Sequence, residues 1–363
     1  MKKTGGLSWQ TILTWLVVAP LSVLLGWGLT TLAVPAAWIL AGIIGAGGAA
    51  LILDRELPLN RYLNRIGRGI IGILAGLPLI GVPPGQIAGF LLPGLLVAVV
   101  TLGIGITGGL LLARSQREIS PETGILSMLA GGASLMPPLA QEVGADFRYV
   151  ALTQYLRMMS VSVTLPLVAV LFTPPGGDGA AVTDTAGGTW VMVLLILAVA
   201  TFSHPLGKLV HIPAPGVLTP MLLAVLIGLL LPEGYSMAPP EPMTIFAFLV
   251  VGWMCGGALS LAALKVFAKQ LPATILFIVI LMAGCALSAI PLTYWLDITY
   301  FEAYLATSPG ALDTVLALSA EGGAGPVVVT IQLIRLVAVI LIASKLPDLI
   351  RLLARWFHPR ERD

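Results

Sequence analysis

The sequence Gln154-Tyr155-Leu156-Arg157 lies inside a long apolar run and recurs 178 residues later as Gln332-Leu333-Ile334-Arg335. A glycine-containing interruption precedes each copy, Gly131-Gly132-Ala133-Ser134 in the first half and Ser308-Pro309-Gly310-Ala311 in the second. An arginine within an apolar span is costly and by default marks function. Two such arginines at equivalent positions predict a duplicated unit built around a buried polar site.

The composition identifies the class of protein. Hydrophobic residues make up 58% of the 363 residues and charged residues 10%, and the mean hydropathy is +1.00. A soluble domain carries about 25% charged residues. Apolar runs of roughly 20 residues follow one another almost without a break, which predicts an all-α polytopic membrane protein.

Ten spans are predicted, five in each half, with a broken apolar stretch before the last span of each half. The predicted spans are residues 9–33, 35–53, 67–82, 89–112, 146–172, 189–210, 213–231, 243–261, 272–296 and 325–344, and the broken stretches are 119–145 and 300–323. The domain plan is membrane repeat 1 (1–172), an extracytoplasmic linker (173–188), membrane repeat 2 (189–344) and a cytoplasmic tail (345–363). The tail mixes apolar and basic residues and reads as an amphipathic helix on the inner leaflet, or as a solvated helix extension.

Further matched positions support the duplication. A spacing of 178 residues also relates three other pairs, and GxxxG motifs recur at a spacing of 180: Pro35 and Pro213, Gly132 and Gly310, Gly144 and Gly322, then Gly72/Gly76 and Gly252/Gly256. Internal duplication is a hallmark of secondary transporters. The GxxxG pairs are most simply explained by close helix packing.

The positions of the charges predict the topology. With the N-terminus inside and each broken stretch treated as a re-entrant hairpin, 17 of the 19 Lys and Arg residues fall on the cytoplasmic side, as the positive-inside rule requires. The remaining two are Arg157 and Arg335. Five spans per repeat would make the halves inverted, with both termini cytoplasmic in a bacterial inner membrane. Both arginines would then lie roughly 13–15 Å deep, near the middle of a core about 30 Å thick.

The two arginines allow two interpretations. The planar guanidinium fork fits a carboxylate or phosphate, so the favoured prediction is an anion-binding site. The alternative is a structural role, in an ion pair or in bonds to exposed hairpin carbonyls. Gln154 and Gln332 lie on the same helix faces and are predicted to orient the arginines or the hairpins.

The hairpin tips contribute the remaining candidate residues. Gly131, Gly132, Ser134, Ser308 and Gly310 would offer backbone N–H groups to an anionic substrate, or the two serines would simply cap the second hairpin arms. Pro309 suits a first helical position. Asp313 is the candidate carboxylate for coupling to H⁺ or Na⁺, or else a favourable charge in the first turn of a helix.

Enzyme and nucleic-acid functions lack sequence support. His204, His211 and His358 are scattered, and no HxxH, HExxH, CxxC or P-loop spacing occurs in the sequence. Cys255 and Cys285 lie in apolar segments and suggest neither a disulfide nor a metal site. We therefore expect no enzyme activity, cofactor or nucleic-acid partner.

The two units resemble those of the AbrB-duplication family of bacterial membrane proteins. The resemblance rests on Gly131-Gly132-Ala133-Ser134 with Glu142-Val143-Gly144-Ala145-Asp146 and the first QxxR, and on Ser308-Pro309-Gly310-Ala311-Leu312-Asp313 with the second QxxR. The second unit departs from the family pattern at Thr314 and at Gly322-Gly323-Ala324. The family carries labels such as transcriptional regulator and ammonia monooxygenase, and the resemblance implies a polytopic membrane protein compatible with a carrier.

The favoured functional prediction is a secondary transporter of a small organic anion, coupled to H⁺ or Na⁺. The alternative is a membrane-embedded sensor or regulator of gene expression that binds a ligand without moving it. Expected partners are the anion, the coupling ion and the lipid bilayer; carriers with moving hairpin domains are often dimers, which makes a homodimer compatible with this reading.

Overall fold

A computed structural model of the chain describes residues 9–130, 136–172, 190–232, 234–258 and 261–343. Regular structure within these residues is helical throughout, as the sequence predicts. Besides one 3₁₀ turn at Leu77–Leu79, the helices are α1 (Trp9–Thr31), α2 (Ala37–Ile52), α3 (Arg61–Gly76), α4 (Pro84–Gly89), α5 (Leu91–Ser115), α6 (Pro121–Met128), α7 (Met136–Glu142), α8 (Phe147–Phe172), α9 (Trp190–Leu209), α10 (Leu218–Leu230), α11 (Glu241–Gly257), α12 (Leu261–Val266), α13 (Leu271–Leu296), α14 (Tyr300–Thr307), α15 (Leu312–Glu321) and α16 (Pro326–Ala343).

Four helical stretches of the described chain are long and apolar enough to cross a membrane. They are Gln10–Thr31, Pro84–Ser115, Trp190–Leu209 and Leu271–Leu296, and they are accompanied by shorter apolar helices at Ala37–Ile52, Leu218–Leu230, Glu241–Gly257 and Pro326–Ile342. Large apolar side chains such as Leu24, Val99 and Trp190 are exposed on the long helices, as expected where lipid is the solvent. The chain is a helical membrane protein, and the total of ten spans stays a prediction.

The helices form two compact units, and each unit takes helices from both halves of the sequence. Unit 1 contains α1, α2, α3, α9, α10 and α11, together with residues 316–323 at the end of α15. Unit 2 contains α4 to α7, α8 up to Thr164, α13, α14, the start of α15, and α16. The predicted linker and tail, 173–188 and 345–363, lie outside the described residues, as do Gly131, Gly132 and Ser134 at the first predicted hairpin tip.

Glycine contacts bring the helices of unit 1 close together. A Cβ atom built on Gly252 or Gly256 would lie 2.3 or 2.4 Å from the carbonyl oxygens of Ile39 and Ile43 in α2. On Gly72, in the other predicted motif, it would lie 2.4 Å from the carbonyl oxygen of Val217. Only glycine permits such approaches, so both GxxxG motifs serve close helix packing as predicted.

The core of unit 2 lies around the first helix break. Ile125, Leu126 and Leu129 on one side of the break, and Met136 and Ala140 on the other, form a buried cluster with Val150 of α8 and Val339 of α16. Further glycine contacts bring α6 against α5, because a Cβ on Gly109 would lie 2.5 Å from the carbonyl oxygen of Gly124. This packing fixes the broken segments against the two helices that carry the QxxR motifs.

Candidate anion site at two helix breaks

The first arginine motif holds the carbonyl groups at the end of α6. Arg157 donates from Nη1 to the carbonyl oxygen of Leu129 at 2.7 Å and from Nη2 to Gln154 Oε1 at 2.7 Å. Gln154 Nε2 in turn donates to the carbonyl oxygen of Leu126 at 2.9 Å. A helix that ends inside a protein leaves carbonyl groups without intrahelical partners, and these two side chains supply the missing donors.

The second motif repeats this arrangement at the end of α14. Gln332 Nε2 donates to the carbonyl oxygen of Leu305 at 2.7 Å. Arg335 donates from Nη1 to the carbonyl oxygen of Ser308 at 2.6 Å and from Nη2 to that of Gly310 at 3.4 Å. The sequence alternative in which the arginines bond exposed hairpin carbonyls is therefore present at both breaks.

The equivalence of the two breaks is close but shifted by one residue. The accepting carbonyls, Leu126 and Leu129 against Leu305 and Ser308, are 179 residues apart, whereas the two arginines are 178 apart. Left-handed backbone at Gly144 (φ 76°) likewise recurs at Gly323 (φ 63°). The sequence pairing of Gly144 with Gly322 is therefore wrong by one residue, because only a left-handed turn at this point identifies the equivalent glycine.

Both arginines are buried in unit 2 and lie close enough to interact electrostatically. Arg157 is 1% exposed and Arg335 is 2% exposed, and each acts on the other and on the thiol of Cys285. The contacts that the structure describes for both guanidinium groups are made with neutral carbonyl and amide oxygens. Two like charges buried together are unfavourable unless something of opposite charge compensates them.

Two polar atoms in this region remain without a hydrogen-bond partner among the described residues. They are Arg157 Nε, a donor, and Gln332 Oε1, an acceptor, and both are buried. A buried donor without a partner carries a desolvation cost of roughly 1–3 kcal/mol, and more when it is charged. The Nε atom therefore identifies one place where a ligand oxygen would be stabilised.

The second break differs in detail from the sequence prediction. Ser308 does not cap α15: it ends α14, and its hydroxyl donates to the carbonyl oxygen of Leu305 at 3.1 Å. α15 begins only at Leu312, so Pro309 does not occupy its first position. The reason is that Arg335 draws the carbonyls of Ser308 and Gly310 towards itself and keeps the chain extended between the two arms.

The remaining candidate residues of this break lie near the first QxxR helix. A Cβ built on Gly310 would lie 3.0 Å from Val161 of α8, one turn beyond Arg157. The second break thus contacts the helix that serves the first. Asp313 lies in the first turn of α15, is partly buried and has an interaction partner; its predicted coupling role stays a prediction.

The bases of the two hairpins carry matched bonds that sequence reasoning missed. Thr123 Oγ1 accepts from the N–H of Asp146 at 3.0 Å, and Glu302 Oε1 accepts from the N–H of Gly325 at 2.8 Å. Both donors immediately precede a QxxR helix. A detectable signal exists in the second half, since Thr299 and Glu302 form a capping box, but nothing local indicates the long-range partner.

A metal site finds no support in the described residues, where no group of three or more His, Cys, Asp or Glu side chains could hold a metal ion. The polar chemistry of unit 2 that the structure describes is therefore that of guanidinium, amide and carbonyl groups around two breaks.

Comparison with known proteins connects this arrangement to a family. A family model described as "Transition state regulatory protein AbrB" matches residues 38–357, which include both breaks and both QxxR motifs. The chain is 31% identical over 338 residues to "Putative regulator AbrB" of Escherichia coli (strain K12), covering 91% of this chain and 94% of that protein. It is 26% identical over 261 residues to "Uncharacterized protein YhjN" of Bacillus subtilis (strain 168), covering 66% and 65%. The resemblance noted from the sequence is thus confirmed, and the chain belongs to the AbrB family.

Proposed function

We propose that this protein is a secondary transporter that carries a small organic anion, such as a carboxylate, across the bacterial inner membrane. The observation that carries the proposal is the pair of buried, interacting arginines whose described contacts are all with neutral oxygens. A bound anion would neutralise this charge where the dielectric constant is low. It would also give Arg157 Nε the acceptor that the described chain does not supply.

The mode of binding follows from which donors are already engaged. The terminal nitrogens of both guanidinium groups bind protein oxygens, so an anion would not be held by an open bidentate fork in this conformation. It would bind beside the breaks, through Arg157 Nε and the field of both charges. Binding and the conformation of the breaks would then be linked, because the same two arginines serve both.

The repeat architecture supports transport. Helices at matched positions take matched roles, since α2 packs on α11 as α10 packs on α3, and α5 packs on α6 as α13 packs on α14. As part of this proposal, the fold has ten spans and two re-entrant hairpins in two inverted repeats, with both termini cytoplasmic. Carriers of this type bind substrate at helix breaks near the midplane and move one bundle to alternate access. Coupling to H⁺ or Na⁺ would supply the energy, and a homodimer remains compatible with the proposal.

The second candidate function is a membrane-embedded ligand sensor. The observation that favours it is the name of the Escherichia coli relative, which describes a regulator. The same arginine site would serve a sensor equally well as a ligand site. Flux distinguishes the two functions, because a carrier exchanges labelled ligand across a sealed bilayer whereas a sensor only binds it.

The first experiment measures ligand-induced thermal stabilisation of the purified protein at constant ionic strength. The probes are acetate, succinate, citrate, inorganic phosphate and glutamate, with chloride as the reference anion. A ligand that binds the folded state at about 100 times its Kd adds roughly 2.7 kcal/mol of stability. We expect at least one organic anion to raise the Tm of the wild type, and labelled exchange of that anion in proteoliposomes then separates carrier from sensor.

Matched variants connect this response to the site. Arg157→Gln and Arg335→Gln remove the charge but keep an amide that can donate to the break carbonyls, and Arg148→Gln is the control because Arg148 is exposed on the same helix α8. We expect the control to respond like wild type and both site variants to lose the shift while remaining monodisperse. If no anion acts, or if the site variants respond fully, the arginines are structural and the transporter proposal is withdrawn.

A further inference from the structure

Glu321 is a buried acid at the far end of the arm that begins at the second break. It is the last residue of α15, lies outside the candidate membrane spans and precedes the exposed residues Gly322 and Gly323. Residues 316–323 belong to unit 1, whereas α15 begins in unit 2. α15 therefore connects the break held by Arg335 with the environment of Glu321.

The surroundings of the Glu321 carboxyl group are almost entirely apolar. The backbone N–H of Ala36, immediately before α2, is hydrogen-bonded to it, while its Oε2 atom is buried and has no hydrogen-bond partner among the described residues. Neither the turn at residues 32–36 nor α2 contains a charged side chain. Within the described chain, burial and this one N–H are the influences on the carboxyl group, and no charged side chain adds to them.

The equivalent residue of the other hairpin has the opposite environment. Glu142 is the last residue of α7, and it precedes the left-handed Gly144 as Glu321 precedes Gly323. Glu142 is exposed. The two repeats thus place a glutamate at the same structural position, but only the second repeat buries it, so burial at Glu321 is not a general requirement of the hairpin.

Burial and the Ala36 amide act in opposite directions on the ionisation of Glu321. Burial raises the pKa of the carboxyl group to about 8, and the Ala36 N–H, which favours the charged form, opposes part of that rise. The carboxyl group is consequently protonated at neutral pH and loses its proton on modest alkalinisation. This is the property that a proton-carrying group needs.

We propose that Glu321 is the proton-binding site of this protein, with its buried Oε2 atom as the place where the proton resides. Protonation converts a buried carboxylate and a proton into a neutral acid that its apolar surroundings accept. Loss of the proton leaves a charge there, which favours movement of the end of α15 towards water at Gly322 and Gly323. Because α15 begins at the second break, its displacement changes the break that Arg335 holds. The role in coupling rests on the proposed function, whereas the proton site itself does not.

Infrared difference spectroscopy during a pH titration tests the site directly. Wild type is compared with Glu321→Gln, with Glu321→Asp in case the amide variant folds poorly, and with Glu142→Gln as the matched control. We expect the absorption of a protonated carboxyl group to disappear with a midpoint near 8 in wild type and in Glu142→Gln. It should be absent from Glu321→Gln and shifted in midpoint in Glu321→Asp. A midpoint below about 5, the ordinary range for glutamate, would overturn the proposal.

Thermal unfolding provides a second readout. A carboxyl group whose pKa is raised on folding contributes stability below its unfolded pKa of about 4.3 and loses that contribution as the pH rises through the folded pKa. The Tm of wild type should therefore fall relative to Glu321→Gln between about pH 5 and about pH 9, while Glu142→Gln follows wild type. Parallel Tm curves for wild type and Glu321→Gln would contradict the proposal.

The two proposals fail separately, because neither readout requires a substrate. A titration near 8 without any anion response would leave Glu321 as a proton site and remove the carrier function. An anion response without this titration would keep the carrier and exclude Glu321 as its proton site.

Discussion

Arg157 and Arg335 show how much a single residue type in an apolar run can predict. Their position inside helices predicted burial and a role at a glycine-rich break, and the structure has both. Which atoms they bind was beyond the sequence. The demand for donors comes from carbonyl groups at helix ends, and the places where α6 and α14 end depend on packing against α5 and α13 rather than on local residue choice.

The geometry of the guanidinium group should matter for stability as well as for charge. Arg157→Lys keeps the charge, but one ammonium group cannot hold Leu129 and Gln154 from two separate nitrogens as arginine does. We expect a loss of about 1–3 kcal/mol in the free energy of unfolding, measured by denaturant titration in detergent. Arg148→Lys on the exposed face of α8 is the control; equal stability of the two variants would mean that the break does not need the fork.

The hairpin bases allow a prediction about a residue that the sequence suggested only as a helix cap. Glu302→Ala removes the acceptor for the Gly325 N–H and also the bonds to the Thr299 N–H and hydroxyl. We expect a loss of about 1–3 kcal/mol of stability, because the Gly325 amide is left without that acceptor at the start of α16. Thermal unfolding measures it, with the exposed Glu241→Ala at the start of α11 as control. A Tm no lower than that of the control would show that the bond contributes nothing.

At the scale of helices, the glycine motifs predicted close packing without predicting partners. The sequence contains the spacing of Gly72/Gly76 and Gly252/Gly256, but the choice of α10 and α2 as partners follows from the arrangement of six helices in unit 1. The extents of the breaks were equally hidden. Ser308 was expected to start the second arm, but the start of α15 at Leu312 depends on the long-range bonds from Arg335.

Alanine at two glycines of unit 1 should have opposite effects. A Cβ on Gly252 would meet the Ile39 carbonyl oxygen at 2.3 Å, and backbone cannot move aside cheaply. We expect Gly252→Ala to lower the unfolding free energy by about 1–3 kcal/mol. Gly48→Ala, in open space on α2, should leave stability unchanged or raise it by about 0.4–1 kcal/mol, because alanine narrows the unfolded ensemble. Differential unfolding of the two variants checks the contact between α2 and α11, which would be refuted by equal Tm values.

At the scale of the whole molecule, sequence repeats and compact units divide the chain in different ways. The repeats follow the chain, with a boundary predicted between residues 172 and 189. Each compact unit instead combines the corresponding helices of both halves. Periodicity along the sequence could predict the helices, but not this exchange, which depends on contacts between residues roughly half the chain apart, such as the bond from Trp253 Nε1 to Ser22 Oγ.

Neither half should therefore be stable alone. If the chain is divided between Phe172 and Trp190, we expect each fragment to be degraded when expressed singly, because both units lose half of their helices. Co-expressed fragments should co-purify from membranes, which a pull-down through a tag on one fragment measures. Stable accumulation of either half by itself would contradict the division into interleaved units.

This interleaving also constrains the ancestry of the fold. Before duplication, a half-length chain could have completed its helix pairs only with a second copy of itself. With an odd number of spans per half, that copy would have crossed the membrane in the opposite direction. Fusion of two such genes would then have fixed one orientation for each half and released the copies to diverge. The glutamates at the two hairpin ends, one exposed and one buried, are what such divergence would leave behind.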